Sequence, residues 1–251
     1  EEYVTFIRQF LTEFTAHLEK CGLSDKTYFH ISDEPNEKHI ERYMKNRENI
    51  VDILKDFKSL DAISHVEYYQ KGLINTPVPC EDQIEDFMAE DIPERWVYYC
   101  SGPWLKASNR YFCHSGGRTR SIGMQMYKYG IKGFLHWGYN FYNNEFSDDC
   151  FNPFLNGTAG YWGWAGDAFL VYPGKRGKAW ESIRLYYMYK AFEDIRVLRL
   201  CESFYGKDKV VAEIEKVYGK TLTFAECADD TALMQKIRDR IDDLIVEAIK
   251  R

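Results

Sequence analysis

The sequence predicts an α/β fold, part of a TIM-type (β/α)8 barrel containing about strands 4 to 8, followed by a C-terminal helical extension. Predicted strands alternate with predicted helices, as in parallel βαβ units. The residues that could carry chemistry come directly after the strands, and in barrels the site lies at the carboxyl ends of the strands. A closed barrel needs eight strands, and this chain supplies about five.

The predicted strands share aromatic and β-branched residues and cover 27–31, 62–69, 95–100, 133–137 and 168–172. The predicted helices share apolar residues spaced three and four apart and cover 3–18, 37–57, 84–88, 119–129 and 179–201. Gly22 follows the first helix, at a position where glycine commonly terminates helices. Asp230 is a suitable N-cap for a last helix whose apolar face carries Ile237 and Ile241.

These elements predict two domains. Residues 1–205 form the C-terminal part of the barrel, and residues 206–251 form the helical extension. Because the chain opens inside an amphipathic helix, the remaining strands, about three, are expected to precede Glu1. A barrel without them would expose sheet edges, through which the chain could self-associate.

Composition narrows the function classes. Hydrophobic residues at 45% and charged residues at 29% are typical of globular proteins. The sequence contains no run of about 18 apolar residues, the length that a membrane span needs, so we expect no membrane partner. The net charge is −6 and no basic cluster stands out, which argues against nucleic acid as a partner. The 7 cysteines and 6 histidines show no metal-ligand spacing, so we expect no metal and no cofactor. Unpaired cysteines favour a reducing compartment such as the cytoplasm.

Two adjacent carboxylates, Asp33 and Glu34, follow the first predicted strand. In an extended strand their side chains would point to opposite faces. Both can reach one pocket only if the backbone leaves extended geometry, which Pro35 encourages. Such a pair can divide a reaction between a proton donor and a charged neighbour. The alternative is structural, because Ser-Asp-Glu-Pro is also a typical helix start and could merely cap the next helix.

Aromatic residues are abundant, with 6 Trp, 19 Tyr and 16 Phe. The tryptophans fall in one part of the chain, at Trp96, Trp104, Trp137, Trp162, Trp164 and Trp180. Residues 137–142 and 161–167 combine aromatic rings with Asn, Gly and Asp. A sugar ring packs its C–H face on an aromatic ring while its hydroxyls bind polar side chains, so these segments predict a carbohydrate site. His30 and His136, within strands, are interpreted as core or pocket-wall residues rather than metal ligands.

Several motifs together resemble the catalytic domain of glycoside hydrolase family 123, also called the DUF4091 glycoside hydrolase-like domain. They are HISDEP at 30–35, Asn109-Arg110 with Arg120, GFLHWGYN at 133–140, GDAFLVYPG at 166–174 and SIR at 182–184. The resemblance covers roughly residues 1–201. It implies a (β/α) barrel with an N-terminal β-sandwich, of which this chain begins near the third helix, and the activity of a retaining exo-β-N-acetylgalactosaminidase.

The resemblance also implies a mechanism in which the substrate's own 2-acetamido oxygen is the nucleophile. Glu34 would protonate the leaving oxygen and later activate water, and Asp33 would orient the acetamido N–H. The substrate would be a carbohydrate with a terminal β-N-acetylhexosamine. The substrate-binding residues implied are His30, Asn109, Arg110, Trp137, Tyr139, Asn140, Trp164 and Asp167.

Two other functions remain open at this point. One is a catalytically silent barrel that only binds carbohydrate. The other is a glycosidase of different specificity with ordinary two-carboxylate chemistry, in which Asp167 or Asp148 would be the second acid.

Overall fold

The computed structural model describes residues 1–103, 105–158, 160 and 163–250. The chain divides into two units, Glu1–Tyr98 and Tyr99–Arg251. The first unit contains helices and strands in alternation. Its helices are α1 (Glu2–Lys20), α2 (Ile40–Glu48), α3 (Val51–Leu54), α4 (Glu67–Gln70) and α5 (Glu85–Met88). Its strands are β1 (Tyr28–Phe29), β2 (Lys58–Ala62), β3 (Thr76–Val78) and β4 (Trp96–Tyr98).

The strands of the first unit run parallel in chain order. β2 lies between β1 and β3, with Phe29 opposite Ser59 and Asp61 opposite Pro77. A parallel bridge between Cys80 and Tyr98 continues this order towards β4. Parallel strands need helical crossovers, and α2 to α5 supply them. One buried apolar cluster of this unit is formed by Tyr43, Ile63, Tyr68, Leu73 and Ile74.

The second unit is dominated by helices. Its elements are α6 (Gly116–Tyr129), β5 (Gly133–Leu135), β6 (Val171–Pro173), β7 (Ala179–Glu181), α7 (Ile183–Tyr205), α8 (Lys207–Tyr218) and α9 (Thr231–Ile249). Close packing of α6 on α7 requires Gly123, where a Cβ would collide with the backbone of Ala191. The buried Asp194 of α7 joins all three long helices, because it accepts hydrogen bonds from Arg120 of α6 at 2.6 Å and Arg238 of α9 at 3.0 Å.

Most of the predicted elements are present, with shifted ends. The helix predicted over 3–18 is α1, and the predicted cap of the last helix is confirmed, since Asp230 Oδ1 accepts a hydrogen bond from the Ala232 N–H at 2.8 Å. The strand predicted over 62–69 is wrong. The strand ends at Ala62, and Glu67–Gln70 is a helical turn that buries Tyr68.

Besides α4, the sequence pattern fails to predict β3, α8 and β7. β3 contains Pro77, which has no N–H to donate to a neighbouring strand, so the sequence pattern argues against a strand at this position. α8 lies in the tail. β7 was predicted as the start of a helix, but it pairs antiparallel with β6 across the turn at 174–178, in which Arg176 and Gly177 have positive φ.

The mixed α/β class is confirmed. The described residues form several short sheets and no closed barrel, so the assignment to barrel strands 4 to 8 stays a prediction. The predicted division at residue 205 also stays a prediction, although α7 does end there. Within the described part of the chain, no helix combines the length and apolar character needed to cross a membrane.

Candidate active site

The acid pair of the first unit lies in a loop with unusual backbone geometry. Glu34 has φ of +42°, in the left-handed region that non-glycine residues seldom adopt. Such a conformation costs about 1–3 kcal/mol, and residues that adopt it are enriched at functional sites as well as in turns. The backbone therefore departs from extended geometry at Glu34, as it must if the side chains of Asp33 and Glu34 are to face the same pocket. Both Asp33 and Glu34 are exposed.

The carboxylate of Glu34 is held by a tyrosine at the end of β4. The Tyr98 hydroxyl donates a hydrogen bond to Glu34 Oε1 at 2.5 Å. Tyr98 itself is 9% exposed, so its ring is fixed by packing while its hydroxyl reaches the loop. This contact restricts the Glu34 side chain to a subset of its rotamers.

Neither acid caps the following helix. The helical turn Glu37–His39 is capped by Asn36, whose Oδ1 accepts a hydrogen bond from the Lys38 N–H at 3.0 Å. The capping arrangement is completed by His39 Nδ1, which accepts from the Asn36 N–H at 3.3 Å. The structural explanation for the acid pair therefore fails, because the cap it would supply is provided by another residue.

A buried aspartate of β2 organises the start of the same loop. Asp61 is fully buried, and its Oδ1 accepts hydrogen bonds from the N–H groups of Ile31 at 2.7 Å and Ser32 at 3.2 Å. Its Oδ2 accepts a hydrogen bond from the Tyr43 hydroxyl at 2.5 Å. The carboxylate thus fixes the backbone of the two residues that directly precede the acid pair. Sequence reasoning missed Asp61, although a lone Asp inside an apolar run is itself a signal that the charge has buried partners.

His30 completes this cluster. Its Nδ1 lies 2.6 Å from Asp61 Oδ1 and 3.2 Å from the Leu60 carbonyl oxygen. The hydrogen bond to Asp61 raises the pKa of His30, and burial opposes the rise. Burial, together with the charge of Asp61, raises the pKa of Tyr43, so its hydroxyl stays a donor. His30 is therefore a support of the loop, as a pocket-wall histidine would be.

Asp61→Asn is expected to lower the free energy of unfolding by about 1–3 kcal/mol, because an amide NH2 would face hydrogen-bond donors in a buried position. Urea denaturation measures this loss. Asp56→Asn, at an exposed position, is the matched control and should change stability by less than about 0.5 kcal/mol. An equal effect of both substitutions would contradict the assignment.

The same substitution has a pH signature. A raised folded-state pKa of His30 contributes stability that is present below its unfolded pKa of about 6.5 and lost as the pH rises through the folded value. Asp61→Asn should return the pKa of His30 towards its ordinary value, and NMR titration of the imidazole measures that shift.

The second unit contains a buried cluster of Arg110, His136 and Asp167. Arg110 Nη2 donates hydrogen bonds to His136 Nδ1 at 2.6 Å, to the Asp167 carbonyl oxygen at 2.9 Å and to the Gly138 carbonyl oxygen. His136 Nε2 lies 3.0 Å from Asp167 Oδ1. Arg110 and Asp167 are 2% and 1% exposed, so both are buried.

The hydrogen bonds determine the protonation state of His136. Nδ1 accepts from Arg110 and, at 3.0 Å, from the Gly138 N–H, so the single imidazole proton is on Nε2, which donates to Asp167. Burial, and then the charge of Arg110, lower the pKa of His136 to about 4. The histidine is neutral at ordinary pH and serves as a fixed hydrogen-bonding link.

The cluster orients an exposed indole. Asp167 Oδ2 accepts a hydrogen bond from Trp137 Nε1 at 2.9 Å, while the Trp137 side chain is 40% exposed. Two further rings predicted to bind sugar are also exposed, Tyr139 at 52% and Trp164 at 45%. Trp164 stacks on Tyr111 with the ring centroids 5.8 Å apart. The aromatic candidates therefore offer ring surface, and one of them has its orientation set by a buried carboxylate.

The polar candidates of the second unit differ in exposure. Asn109 is fully buried, and its Nδ2 donates to the carbonyl oxygens of Cys100 at 3.0 Å and Pro103 at 2.9 Å. Asn140 is exposed and forms an antiparallel bridge with Phe169. Asn109 therefore supports the backbone before Arg110, whereas Asn140 can offer its amide to a ligand.

The two acids considered as alternatives to Asp33, namely Asp167 and Asp148, also differ in exposure. Asp167 is buried and both of its carboxylate oxygens accept hydrogen bonds. Asp148 is exposed and bonded to the neighbouring Asn144. Among the described residues no group of three or more His, Cys, Asp or Glu side chains could hold a metal ion. The candidate aromatics Trp104, Tyr161 and Trp162 lie outside the described residues.

Comparisons with known proteins agree with the sequence motifs. The chain is similar to a solved structure of a family 123 glycoside hydrolase from Clostridium perfringens, described for its hydrolysis of glycolipid glycans, with 18% identity and a TM-score of 0.63. The similarity covers 100% of this chain and 45% of that chain, so this chain spans less than half the length of that relative. No curated protein sequence matches. Residues 1–201 match the family described as glycoside hydrolase 123, catalytic domain, and the chain belongs to this family.

Proposed function

We propose that this chain carries the acid pair of a glycosidase that removes terminal β-N-acetylgalactosamine with retention of configuration, using the 2-acetamido group of the substrate as the nucleophile. The substrate class is a carbohydrate ending in a β-N-acetylhexosamine. We further infer that the parallel strands of the first unit correspond to barrel strands, with the acid pair at the carboxyl end of β1. The order of β1, β2 and β3 supports this arrangement.

The observation that carries the proposal is the geometry of Glu34. Its backbone is held in the left-handed region, its carboxylate accepts a hydrogen bond from Tyr98, and the helix cap it could have supplied is made by Asn36. A strained, exposed acid that does not cap the following helix is a costly feature. A catalytic task explains it.

The reaction uses the two acids differently. As the acetamido carbonyl oxygen attacks C1, the carboxylic acid of Glu34 gives its proton to the departing glycosidic oxygen. The resulting five-membered oxazolinium ring carries positive charge, and the carboxylate of Asp33 hydrogen-bonds its N–H and stabilises that charge. Glu34, now a carboxylate, takes a proton from the water that attacks C1. The ring opens, the acetamido group is restored and the configuration at C1 is retained.

The remaining candidates divide into contacts and supports. Trp137, Tyr139 and Trp164 would pack on the sugar ring through their exposed faces, with Asn140 as a polar contact. The buried candidates would support these contact residues without touching the sugar. Asp167 accepts the hydrogen bond that orients the Trp137 indole, and Arg110 donates a hydrogen bond to His136. Asn109 and His30 have the same supporting task in their own loops.

The proposal predicts that an aryl β-N-acetylgalactosaminide is hydrolysed at least about 10³-fold faster than the corresponding aryl β-galactoside, because the galactoside lacks the internal nucleophile. Steady-state kcat/KM for the two substrates measures this ratio. Substrates with one, two and three fluorines on the acetyl group serve as the control, since each fluorine weakens the carbonyl oxygen as a nucleophile and should lower kcat further. Equal turnover of the two aryl sugars would contradict acetamido participation.

The exposed aromatic rings also fit a second function, a module that binds carbohydrate without cleaving it. Such a module would bind N-acetylgalactosamine with a saturable isotherm and release no product from any aryl glycoside. Its binding would depend on Trp137 and would be unaffected by Glu34→Gln. Product release that disappears in Glu34→Gln excludes this function.

A further inference from the structure

Tyr98 contacts one of the two carboxyl oxygens of Glu34 and leaves the other open. Tyr98 is the last residue of β4, where its N–H donates to the Pro79 carbonyl oxygen at 3.1 Å and its side chain is packed. Its hydroxyl donates to Glu34 Oε1 at 2.5 Å. Within the described part of the chain, Oε2 of the exposed Glu34 has no hydrogen-bond partner. One oxygen is therefore held by the protein, and the other can face a ligand.

The backbone on both sides of Glu34 is fixed by other residues. Before the acid pair, Asp61 accepts hydrogen bonds from two backbone N–H groups. After it, the Tyr68 hydroxyl donates to the Asn36 carbonyl oxygen at 2.9 Å. These contacts hold the loop but do not reach the carboxyl group at the end of the Glu34 side chain, and a long exposed side chain samples many rotamers unless it is held. The hydrogen bond from Tyr98 is thus the contact that determines where this carboxyl group lies.

The same hydrogen bond determines which oxygen carries the acid proton. While Glu34 is a carboxylate, the Tyr98 hydroxyl is the donor, because a carboxylate can only accept. A proton that Glu34 takes up then goes to Oε2, since Oε1 is already occupied by the Tyr98 hydroxyl. We propose that Tyr98 is a positioning residue of the glycosidase reaction, which fixes Oε1 and so keeps the transferable proton of Glu34 on Oε2. This inference rests on the proposed function, in which Glu34 is the acid and the base.

The proposal assigns each proton and electron pair of the two steps. In the first step Oε2 gives its proton to the glycosidic oxygen, which also receives the electron pair of the breaking C1–O bond, while the acetamido oxygen forms its bond to C1. The negative charge left on Glu34 strengthens the hydrogen bond from Tyr98 to Oε1, because that bond is now charge-assisted. In the second step Oε2 takes a proton from water as the water oxygen bonds to C1 and the acetamido oxygen departs with its electron pair. Tyr98 keeps its own proton throughout.

Tyr98→Phe tests this role, because it removes the hydroxyl and keeps the packed ring. For aryl β-N-acetylgalactosaminides with phenol leaving groups of high pKa, kcat/KM should fall at least about tenfold, since these groups depart only with the proton of Glu34. For a dinitrophenol leaving group, which departs without a proton, the loss should be less than about threefold. The dissociation constant for N-acetylgalactosamine should stay within about twofold of that of the unaltered protein, because the substitution removes no contact to the sugar.

Tyr28→Phe is the matched control, because the Tyr28 hydroxyl also donates to a carboxylate in the same unit, Glu94 Oε1 at 2.6 Å. It should leave kcat/KM unchanged for every leaving group. NMR of protein labelled with carbon-13 at the glutamate carboxyl groups tests the contact itself. The Glu34 resonance is the one that is missing from Glu34→Gln. Tyr98→Phe should move this resonance, and Tyr28→Phe should leave it in place.

Tyr98 should act only through Glu34, so Tyr98→Phe should have no further effect on kcat/KM when it is added to Glu34→Gln. An equal loss on both backgrounds would overturn the proposal. A loss of equal size for all leaving groups, or a Glu34 resonance that does not move, would also overturn it, because Tyr98 would then have a structural role alone. Failure of the proposed function gives a different pattern, in which Glu34→Gln itself leaves the rates unchanged. If only the role of Tyr98 is wrong, Glu34→Gln remains severe and Tyr98→Phe behaves like Tyr28→Phe.

Discussion

Glu34→Gln should lower kcat/KM for an aryl β-N-acetylgalactosaminide by about 10²- to 10⁴-fold, which is the usual contribution of a general acid and base. Gln has nearly the same shape and can still accept the hydrogen bond from Tyr98, but it has no proton to transfer. The loss should be smallest for aryl leaving groups of low pKa, since these depart without protonation. A plot of log kcat/KM against leaving-group pKa measures the difference.

Glu37→Gln is the matched control, because Glu37 is an exposed carboxylate only three positions further along the chain. It should leave the rate within about twofold of the unaltered protein, as expected for an exposed charge. A Glu34→Gln variant with unchanged rates across the leaving-group series would remove Glu34 from the mechanism.

Asp33→Asn should lower the rate for N-acetyl substrates by about 10²- to 10³-fold, the usual cost of removing one electrostatic stabiliser of a transition state. An amide cannot offset the positive charge of the oxazolinium ring. The same substitution should weaken binding of a neutral or cationic bicyclic thiazoline, a stable analogue of that ring, more than it weakens binding of N-acetylgalactosamine. Inhibition constants for the two ligands provide the measurement.

Asp25→Asn provides the control for this variant, because Asp25 is exposed and lies in a separate helical turn before β1. If Asp33→Asn and Asp25→Asn had the same small effect, Asp33 would not contact the acetamido group. A loss of equal size for the thiazoline and for the parent sugar would instead indicate a general effect on binding.

The acid pair could be predicted from sequence because its signal is local. Asp33 and Glu34 follow a short strand and precede Pro35, and each of these features acts over a few residues. Helix α9 was predictable for the same reason, since Asp230 and the apolar face are both local.

The supports of the candidate site could not be predicted in this way. Asp61 is buried on β2, which lies between β1 and β3, and Pro77 made β3 unrecognisable as a strand in the sequence. Likewise, His136 is bonded to Arg110, 26 positions earlier, and to Asp167, 31 positions later. Contacts at such separations depend on the folded arrangement, which the spacing of apolar residues does not specify.

Two members of the hydrogen-bonded cluster behind Trp137, His136 and Arg110, keep one charge state over a wide range of pH. His136 remains neutral above about pH 4, and Arg110, whose pKa burial lowers to about 10, remains charged below that value. Neither group changes its charge across the whole range in which most glycosidases are assayed. A rise or fall of activity with pH in that range is therefore not expected to come from His136 or Arg110, and a pH–rate profile should be the same whether or not these two groups are present as charges near the rings proposed to bind sugar.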